Sequence, residues 1–446
     1  MEENQSFESN FMKERIKERP INHKKLLRRT VLTVVMALIF GTVASATFLL
    51  FQPIISNRLN QEEAPNIVEF PEVSEEVLPE DLLEDKLEKN TPVETSEPID
   101  ISALTSEDIQ QLMSRLDFNK DNYREIYSSL ASYVEEINKS IVTISGVTSN
   151  TDWFNGVQEQ RDQSAGVLIA NNGVELIAIT EYRPLSRAES YKITFYNNET
   201  VEAYIKGIDH RNGIAAVAVK LSDLPDGFTG EVDIAALGSS ATSGIVGYPI
   251  VAVGRPMGVN GSVGHGMIAA SSGIVSVPDS NYKLLQTNIS GAANPNGFIF
   301  NYQKQVIGII CGDERSVDPG RVLTAGTVTA MGITELRGHI AKIVNGIDKA
   351  YLGITTVDVT EEANRELDVP MGAYVTELVM DSPAVFSGIR RGDVIVQVAD
   401  NEINNSNDYV TSLLQLVPGE ETEIKILRQA GEVYRTIEIK ITPTAD

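Results

Sequence analysis

The chain has 446 residues, of which 42% are hydrophobic, and its 62 acidic and 37 basic residues give a formal net charge of -25. This length allows two or three domains, and the hydrophobic content is ordinary for folded proteins. The acidic balance argues against a nucleic-acid partner, because such a partner requires a basic face that neutralises phosphates.

The first predicted element is a membrane-spanning helix over residues 30–51. This stretch is uncharged and strongly apolar, and about 20 such residues cross a bilayer as a helix. A cluster of lysine and arginine immediately precedes it, and such a flank stays on the cytoplasmic side. We therefore predict a single-pass cell-membrane protein with a cytoplasmic basic tail, residues 1–29, and an extracytoplasmic remainder. A cleaved signal peptide, suggested by Ala44-Ser45-Ala46, is the alternative.

Residues 58–108 are acidic and contain proline, with few side chains that could form a core. This composition predicts a disordered linker, which is extended because its negative charges repel one another. Beyond the linker, apolar residues recur at helical spacing from Ile109 to Ile137, which predicts an amphipathic helix. Packing against a core explains this stripe, and a trimer or partner contact is the alternative.

From Ile141 to about Val328 the chain consists of short β-rich runs separated by turn signals. Many short strands at this rhythm predict barrels or a sandwich, because each strand buries one face and needs a tight turn to pair with the next. The predicted class is mainly β. The single cysteine, Cys311, excludes an internal disulfide and is expected to pack as a small hydrophobic residue.

Four stretches of this region resemble, in order, the signature segments of the HtrA/DegP serine proteases. The resemblance implies a trypsin-like double β-barrel, here residues 109–346 with the N-terminal helix, and a homotrimer formed through that domain. The four stretches are Gly207-Ile208-Asp209-His210-Arg211-Asn212-Gly213-Ile214-Ala215-Ala216-Val217, Ala236-Leu237-Gly238-Ser239-Ser240, Val251-Ala252-Val253-Gly254-Arg255-Pro256-Met257-Gly258 and Ser272-Gly273-Ile274-Val275-Ser276.

The histidine and aspartate of that family are missing at the matching positions. The strand that precedes the family's histidine leads here to Glu181 or its neighbour Tyr182. Where the family has its aspartate, this chain has Gly213. A serine hydroxyl is a poor nucleophile unless an imidazole takes its proton and a carboxylate orients that imidazole. The predicted triad is therefore degenerate.

The nucleophile loop has also lost its serine. When the family's nucleophile loop is aligned backwards from Val306, Pro295 falls at the serine position. When it is aligned forwards from Thr287, Asn296 falls there. Neither residue can attack a carbonyl. Proline at this position would also remove the backbone N–H that the oxyanion hole uses.

A displaced nucleophile is the alternative to a dead site. Ser290 would then be the attacking hydroxyl, and His210 or His265 would be the base. The four histidines show no His-Glu-x-x-His spacing, and no Cys-x-x-Cys occurs, so neither a metal nor another cofactor is predicted.

Residues 347–446 resemble an α+β PDZ domain of the HtrA type. The resemblance rests on Gly372-Ala373-Tyr374-Val375, Ser382-Pro383-Ala384, Gly388-Ile389-Arg390-Arg391-Gly392-Asp393-Val394-Ile395 and two closing strands.

Tyr351-Leu352-Gly353-Ile354 is predicted to turn backbone N–H groups towards a chain-terminal carboxylate, while the following strand accepts the peptide as an added strand. A helix that begins near Asp408 is predicted to form the opposite wall through Val410, Leu413 and Leu414. A groove filled by the protein's own chain is the alternative.

These losses on a recognisable framework predict an HtrA-like pseudoprotease. It would be a membrane-anchored scaffold that binds polypeptide C-termini or unfolded exported proteins through the PDZ domain. The resemblance also supports a second hypothesis, an active serine endopeptidase in envelope protein quality control. A third hypothesis, an envelope stress sensor that signals inward through residues 1–29, rests on topology alone.

Overall fold

The computed structural model describes residue 36, residues 65–71 and residues 120–446 except 153–155, 243, 311–325 and 432. Residues Pro65–Asp446 form one unit, and of the other unit, Met1–Ala64, only Met36 is described. Apart from Met36, the predicted membrane span lies outside the described residues, as do the helical stripe before residue 120 and the packing of Cys311. Within the described ranges, no helix is both long enough and apolar enough to cross a bilayer.

The first described helix, α1 (Lys120–Asn138), leads into a closed antiparallel barrel, the first barrel. Its six strands follow the order β1-β2-β3-β6-β5-β4. They are β1 (Ile141–Asp152), β2 (Gly156–Asn171), β3 (Glu175–Glu181), β4 (Ser190–Thr194), β5 (Thr200–Asp209) and β6 (Ile214–Lys220).

The two faces of β3 show why this run forms a strand that is buried on both sides. Leu176 and Ala178 belong to the core inside the first barrel. Ile177 and Ile179 belong to a second core shared with the strands that follow in the chain. Because successive side chains of a strand point to opposite faces, one apolar run serves both cores.

The second barrel is a seven-stranded sheet in the order β11-β8-β9-β10-β13-β12-β7. An additional pairing of β11 with β12 brings the sheet back on itself. The strands are β7 (Ala236–Leu237), β8 (Pro249–Arg255), β9 (Ser262–Val277), β10 (Ser280–Ser290), β11 (Asn296–Phe300), β12 (Gln305–Ile310) and β13 (Thr327–Gly332). The structure is therefore mainly β with barrel-like sheets, as the strand rhythm predicts.

Helix α2 (Ile333–Val344) connects the second barrel to the C-terminal domain, residues 347–446. This domain has a sheet in the order β15-β16-β17-β19-β20, with β18 paired to β17, and a separate β14–β21 pair. Its strands are β14 (Ala350–Tyr351), β15 (Ile354–Asp358), β16 (Ala373–Leu378), β17 (Val394–Val398), β18 (Asn401–Glu402), β19 (Thr422–Ala430), β20 (Val433–Ile441) and β21 (Thr444–Ala445). Its helices are α3 (Glu361–Leu367), α4 (Pro383–Phe386) and α5 (Ser406–Gln415).

Residues 65–71 depart from the prediction of a disordered linker over residues 58–108. Val68 and Phe70 pack against the core that the two barrels share. The backbone of Val68 exchanges two hydrogen bonds of 2.9 Å with the Asn345 side chain, and Arg337 donates to the Pro71 carbonyl oxygen at 2.9 Å. Two apolar side chains in an otherwise acidic stretch are enough to attach this short segment.

A buried ionic cluster joins the first barrel to the C-terminal domain. Asp209, at the end of β5, lies 2.8 Å from Lys349 Nζ and 3.3 Å from His339 Nδ1. Lys349 Nζ also lies 3.0 Å from Asp446 Oδ2 at the chain's end. Burial opposes ionisation of Asp209, but the contact with His339 and the charge of Lys349 outweigh it and hold its pKa well below the usual range. The cluster is thus an ion pair taken out of water, and each partner depends on the other.

We expect Lys349→Met to lower the free energy of unfolding by about 3–5 kcal/mol, because the buried Asp209 carboxylate loses its main countercharge. Lys425→Met is the matched control, since the Lys425–Glu438 pair is partly exposed and should contribute less than about 1 kcal/mol. Urea unfolding of the purified protein, followed by circular dichroism, measures both. Equal small shifts in the two variants would contradict this role of the cluster.

The same cluster predicts a pH dependence with a defined sign. Because the folded-state pKa of Asp209 is depressed, its stabilisation is complete above the pKa of an unfolded aspartate, about 3.9, and is lost as the pH falls below that value. The stability difference between wild type and Lys349→Met should therefore narrow when urea unfolding is repeated between about pH 6 and pH 3. A difference that stays constant over this range would show that the Asp209 charge is not responsible.

Candidate functional site

The positions that the sequence predicts to match a catalytic triad lie where the two barrels face each other. Glu181 ends β3, and Gly213 lies in the turn between β5 and β6. Strands β3 and β6 pair with Glu181 opposite Ile214, and Tyr182 N–H donates to the Gly213 carbonyl oxygen at 2.8 Å. Asn296 begins β11 in the second barrel. Strand pairing therefore brings the first two positions together, and barrel packing adds the third.

The Asn296 side chain bridges the two barrels. Its Nδ2 donates to Glu181 Oε2 at 2.6 Å, and its Oδ1 accepts from Ala165 N–H at 2.6 Å. Ser164 Oγ lies 3.2 Å from the same Oδ1. Asn296 is only 5% exposed, so this amide is fixed on both its donor and its acceptor side. A carboxylate and an amide are thus in direct contact between the two barrels.

Gly213, the position predicted to match the family's aspartate, has no carboxylate, and the Arg183 side chain lies beside it. Gly213 has a positive φ of 68°, and a Cβ added there would lie 3.6 Å from Arg183 Nε. Arg183 begins the short 3-10 helix Arg183–Leu185 directly after the Glu181 strand. Glycine has no side chain, so this position supplies no carboxylate that could orient an imidazole.

Two hydroxyls lie near this pair, and both are buried. Thr180 Oγ1 is 2.8 Å from Ser164 Oγ and 2.8 Å from the Ala165 carbonyl oxygen, and Ser164 Oγ is 3.1 Å from the Glu181 carbonyl oxygen. Both residues are 0% exposed. These hydroxyls support the position of Asn296 and cannot reach a substrate backbone. Sequence reasoning did not single them out, because serine and threonine in a strand carry no distinguishing pattern.

The remaining candidate residues are Pro295, Ser290, His210 and His265. Pro295 is buried immediately before β11. Ser290 is exposed at the end of β10, opposite Thr327. His210 stacks edge-on against Tyr182 with ring centroids 5.6 Å apart, and His265 does so against Tyr127 on α1 at 5.7 Å.

In the part of the chain that the structure describes, no hydrogen bond or ring contact joins Ser290 to a histidine. No group of histidine, cysteine or acidic side chains that could hold a metal ion occurs among the described residues.

In the C-terminal domain, the predicted carboxylate loop, Leu352-Gly353-Ile354, is occupied by an aspartate of the same chain. The backbone N–H groups of its three residues donate to the Asp279 carboxylate at 2.8, 2.5 and 3.1 Å. Asp279 lies in the hairpin turn, residues 277–280, which connects β9 and β10 in the second barrel. Its own N–H donates to the Ile354 carbonyl oxygen at 2.8 Å.

Tyr409 on α5 supplies a fourth donor to this carboxylate, from its hydroxyl to Asp279 Oδ1 at 2.6 Å. Tyr409 is 0% exposed and Asp279 is 7% exposed. Burial raises the pKa of Asp279, although the hydrogen bonds from Tyr409 and from the carboxylate loop act in the opposite direction. Burial, together with the Asp279 charge, raises the pKa of the Tyr409 hydroxyl well above its usual value. Tyr409 therefore remains protonated as a donor.

The conformation of the carboxylate loop requires glycine at its centre. Gly353 has a φ of 81°, and an added Cβ would lie 2.5 Å from the Ser382 Cβ. Next to the loop, the Arg211 guanidinium lies 4.6 Å over the Tyr351 ring. Tyr351 thus contacts the first barrel's β5–β6 turn, and in this conformation its ring faces an arginine.

The helix predicted as the groove wall is present as α5, but its apolar side chains are packed inside. Val410 and Leu413 are 4% and 2% exposed and belong to the core of the C-terminal domain. Leu414 packs against α2, where a Cβ added at Gly338 would lie 2.8 Å from Leu414 Cδ1. The space left beside Asp279 is a cavity of about 10 Å³, lined in part by Pro278, Tyr351 and Leu413. A ligand side chain has no room there in this conformation.

Sequence reasoning missed Asp279 and Tyr409. Pro278-Asp279 has the composition of an ordinary hairpin turn, and Asp279 adopts a φ of 58°, which aspartate tolerates better than most residues. The one available signal was the predicted alternative of a groove filled by the protein's own chain. The residue that fills the groove could not be identified from the sequence, because Asp279 and Leu352 are 73 positions apart.

Comparison with known proteins places these two regions in a family context. The PDZ domain family matches residues 350–441. A "Probable periplasmic serine endoprotease DegP-like" of Hahella chejuensis is 25% identical over 295 residues, 65% of this chain and 60% of that protein. The "Serine protease Do-like HtrB" of Bacillus subtilis is 26% identical over 331 residues, 68% of this chain and 69% of that protein.

Among solved structures, "HtrA-type protease AlgW with decapeptide" aligns with a TM-score of 0.49 at 18% identity, covering 71% of this chain and 98% of that one. The chain spans less than two thirds of the length of several DegP-like relatives that it matches. The ordered signature segments, the barrel-like sheets and the C-terminal PDZ domain together relate this chain to the HtrA/DegP serine proteases, with their trypsin-like domain followed by a PDZ domain.

Proposed function

We propose that this protein is a membrane-anchored, extracytoplasmic HtrA-like pseudoprotease that binds the C-termini of partner proteins through its PDZ domain and does not hydrolyse peptide bonds. The observation that carries the first part is the 2.6 Å hydrogen bond between Asn296 and Glu181. This contact occupies the position of the hydroxyl–imidazole pair with an amide and a carboxylate. Neither an amide nitrogen nor a carboxylate paired with it can act as an activated nucleophile here.

The way in which Asn296 is held supports this proposal further. Its amide uses Nδ2 towards Glu181 and Oδ1 towards Ala165 N–H, so both ends are engaged across the two barrels. A hydrolytic site needs an open position about 3 Å from the nucleophile and from the oxyanion donors. Here both ends of the Asn296 amide are engaged in hydrogen bonds between the barrels, so this side chain is not free to act on a substrate.

The binding part of the proposal rests on the PDZ domain. Strand β15 is an edge strand of its sheet and pairs only with β16 among the described strands. An edge strand next to a loop of converging N–H groups is the arrangement that accepts a peptide C-terminus as an added strand. The net charge of -25 favours partners that are not strongly acidic, since like charges repel during encounter.

An active endopeptidase remains the competing candidate, because the matched relatives bear the names of serine proteases. We expect no covalent labelling of the purified protein by a fluorophosphonate probe, and no casein cleavage above the buffer rate, with trypsin as the positive control. Ser290→Ala should behave as the wild type does. Labelling or casein cleavage that disappears in Ser290→Ala would establish a displaced nucleophile and reject the pseudoprotease.

The proposed anchoring through residues 30–51 has its own test. With epitope tags at both ends, protease added to cells stripped of their outer envelope layers should remove the C-terminal tag and spare the N-terminal one. The protein should also remain with the membrane after alkaline carbonate extraction. Loss of the N-terminal tag from the mature protein, together with its release by carbonate, would support the cleaved signal peptide instead.

A further inference from the structure

The hydrogen bonds around Asp279 reproduce those that a peptide terminus would make in the same loop. Its carboxylate accepts the N–H groups of Leu352, Gly353 and Ile354, and its N–H donates to the Ile354 carbonyl oxygen. A C-terminal residue that adds to β15 would present a carboxylate and an N–H to these same groups. The side chain of an internal aspartate therefore stands in for a chain terminus.

The hairpin turn is also held from the barrel side, so Asp279 is presented at a fixed place. Ser280 Oγ donates to Asn212 Oδ1 at 3.0 Å. Asn212 in turn donates to the Asp209 carboxylate from its backbone N–H at 3.1 Å and from its Nδ2 at 2.7 Å. This chain of contacts connects the hairpin turn to the buried ionic cluster with Lys349. The bound aspartate is thus preorganised, which lowers the entropic cost of filling the loop.

The backbone of the hairpin turn nevertheless bonds, among the described residues, only to Ile354, the first residue of β15. Beyond the bond from Asp279 to Ile354, no strand pairs with the outer edge of residues 355–358 within the described chain. An extended peptide could form additional backbone bonds along that edge and could supply the same carboxylate. Asp279 is therefore favoured because it belongs to the same chain. An external peptide is favoured because it can form more backbone hydrogen bonds with β15.

We propose that Asp279 is a built-in competitor for the carboxylate loop, so that the PDZ domain is closed at rest and a partner's free C-terminus binds only by displacing the hairpin turn. This inference rests on the proposed function, in which the PDZ domain recognises free C-termini. Because the same N–H groups bind either Asp279 or the ligand, peptide binding and this contact between the domains exclude each other. The apparent affinity of wild type is reduced by the small fraction of open loop.

Binding of a fluorescein-labelled decapeptide that ends in two valines, measured by anisotropy on the purified full-length protein, tests the proposal. D279N keeps the shape of the side chain and tolerates the positive φ of 58° but loses the charge, whereas D279G removes the side chain and also tolerates that φ. We expect D279G to bind the free-acid peptide about tenfold or more tightly than wild type, and D279N to fall between them. Circular dichroism confirms that each variant is folded.

The control variant is D368N, which removes the same charge from another left-handed position, with φ of 52°, on the exposed C-terminal end of α3. It should bind as wild type does. A peptide amide of the same sequence should bind every variant weakly, because it lacks the carboxylate that the loop requires.

The outcomes separate the two proposals. Equal and tight binding of the acid peptide by wild type, D279N and D279G would overturn the competitor and leave C-terminal recognition intact. Acid and amide peptides that bind D279G equally, or that both fail to bind it, would overturn C-terminal recognition and the competitor together. If D368N gained as much affinity for the acid peptide, the effect would be due to net charge, and the proposed role of Asp279 would be rejected.

Discussion

A buried carboxylate must find donors to replace water, and Asp279 finds all of them in another domain. Three backbone N–H groups and the Tyr409 hydroxyl converge on it, within 2.5 to 3.1 Å. Transfer of an ionised group from water is unfavourable unless its lone pairs are satisfied, so the docked arrangement depends on these donors. The small cavity and the contact of Tyr351 with Arg211 lie next to this attachment.

The contact between Glu181 and Asn296 shows the same principle with a different result. In a hydrolase, the groups between the two barrels must remain available to a substrate. Here Asn296 forms hydrogen bonds to Glu181 and Ala165, and the hydroxyls of Ser164 and Thr180 are fully buried. These polar groups satisfy one another and form a contact between the barrels. In the described residues, the Glu181–Asn296 pair and the carboxylate loop are both filled by the protein's own side chains.

Local sequence patterns predicted much of the fold but little of the geometry within these sites. Alternating and continuous apolar runs such as Ile214–Val219 predict buried strands, because side-chain period and burial are local properties. The contact of Asn296 with Glu181 spans 115 positions, and that of Asp279 with Gly353 spans 74. Such contacts depend on how whole barrels and domains pack. A single residue in an ordinary turn carries no local sign of them.

Two further differences have equally physical causes. The linker prediction rested on the acidic composition of residues 58–108 as a whole. It therefore gave no weight to Val68 and Phe70, which attach residues 65–71 to the shared core. The groove-wall prediction correctly placed a helix near Asp408 but could not distinguish side chains that line a cleft from those that fill a core. Val410 and Leu413 are apolar in either case, and the structure places both in the core of the C-terminal domain.

Native-state hydrogen exchange of the carboxylate loop, measured without any added peptide, tests the occupancy of the loop most directly. If Asp279 holds the loop closed, the amides of Leu352, Gly353 and Ile354 exchange slowly in wild type and markedly faster in D279G, while amides in the β19–β20 pair are unchanged in both. Equal exchange rates for these three amides in wild type and D279G would contradict the account.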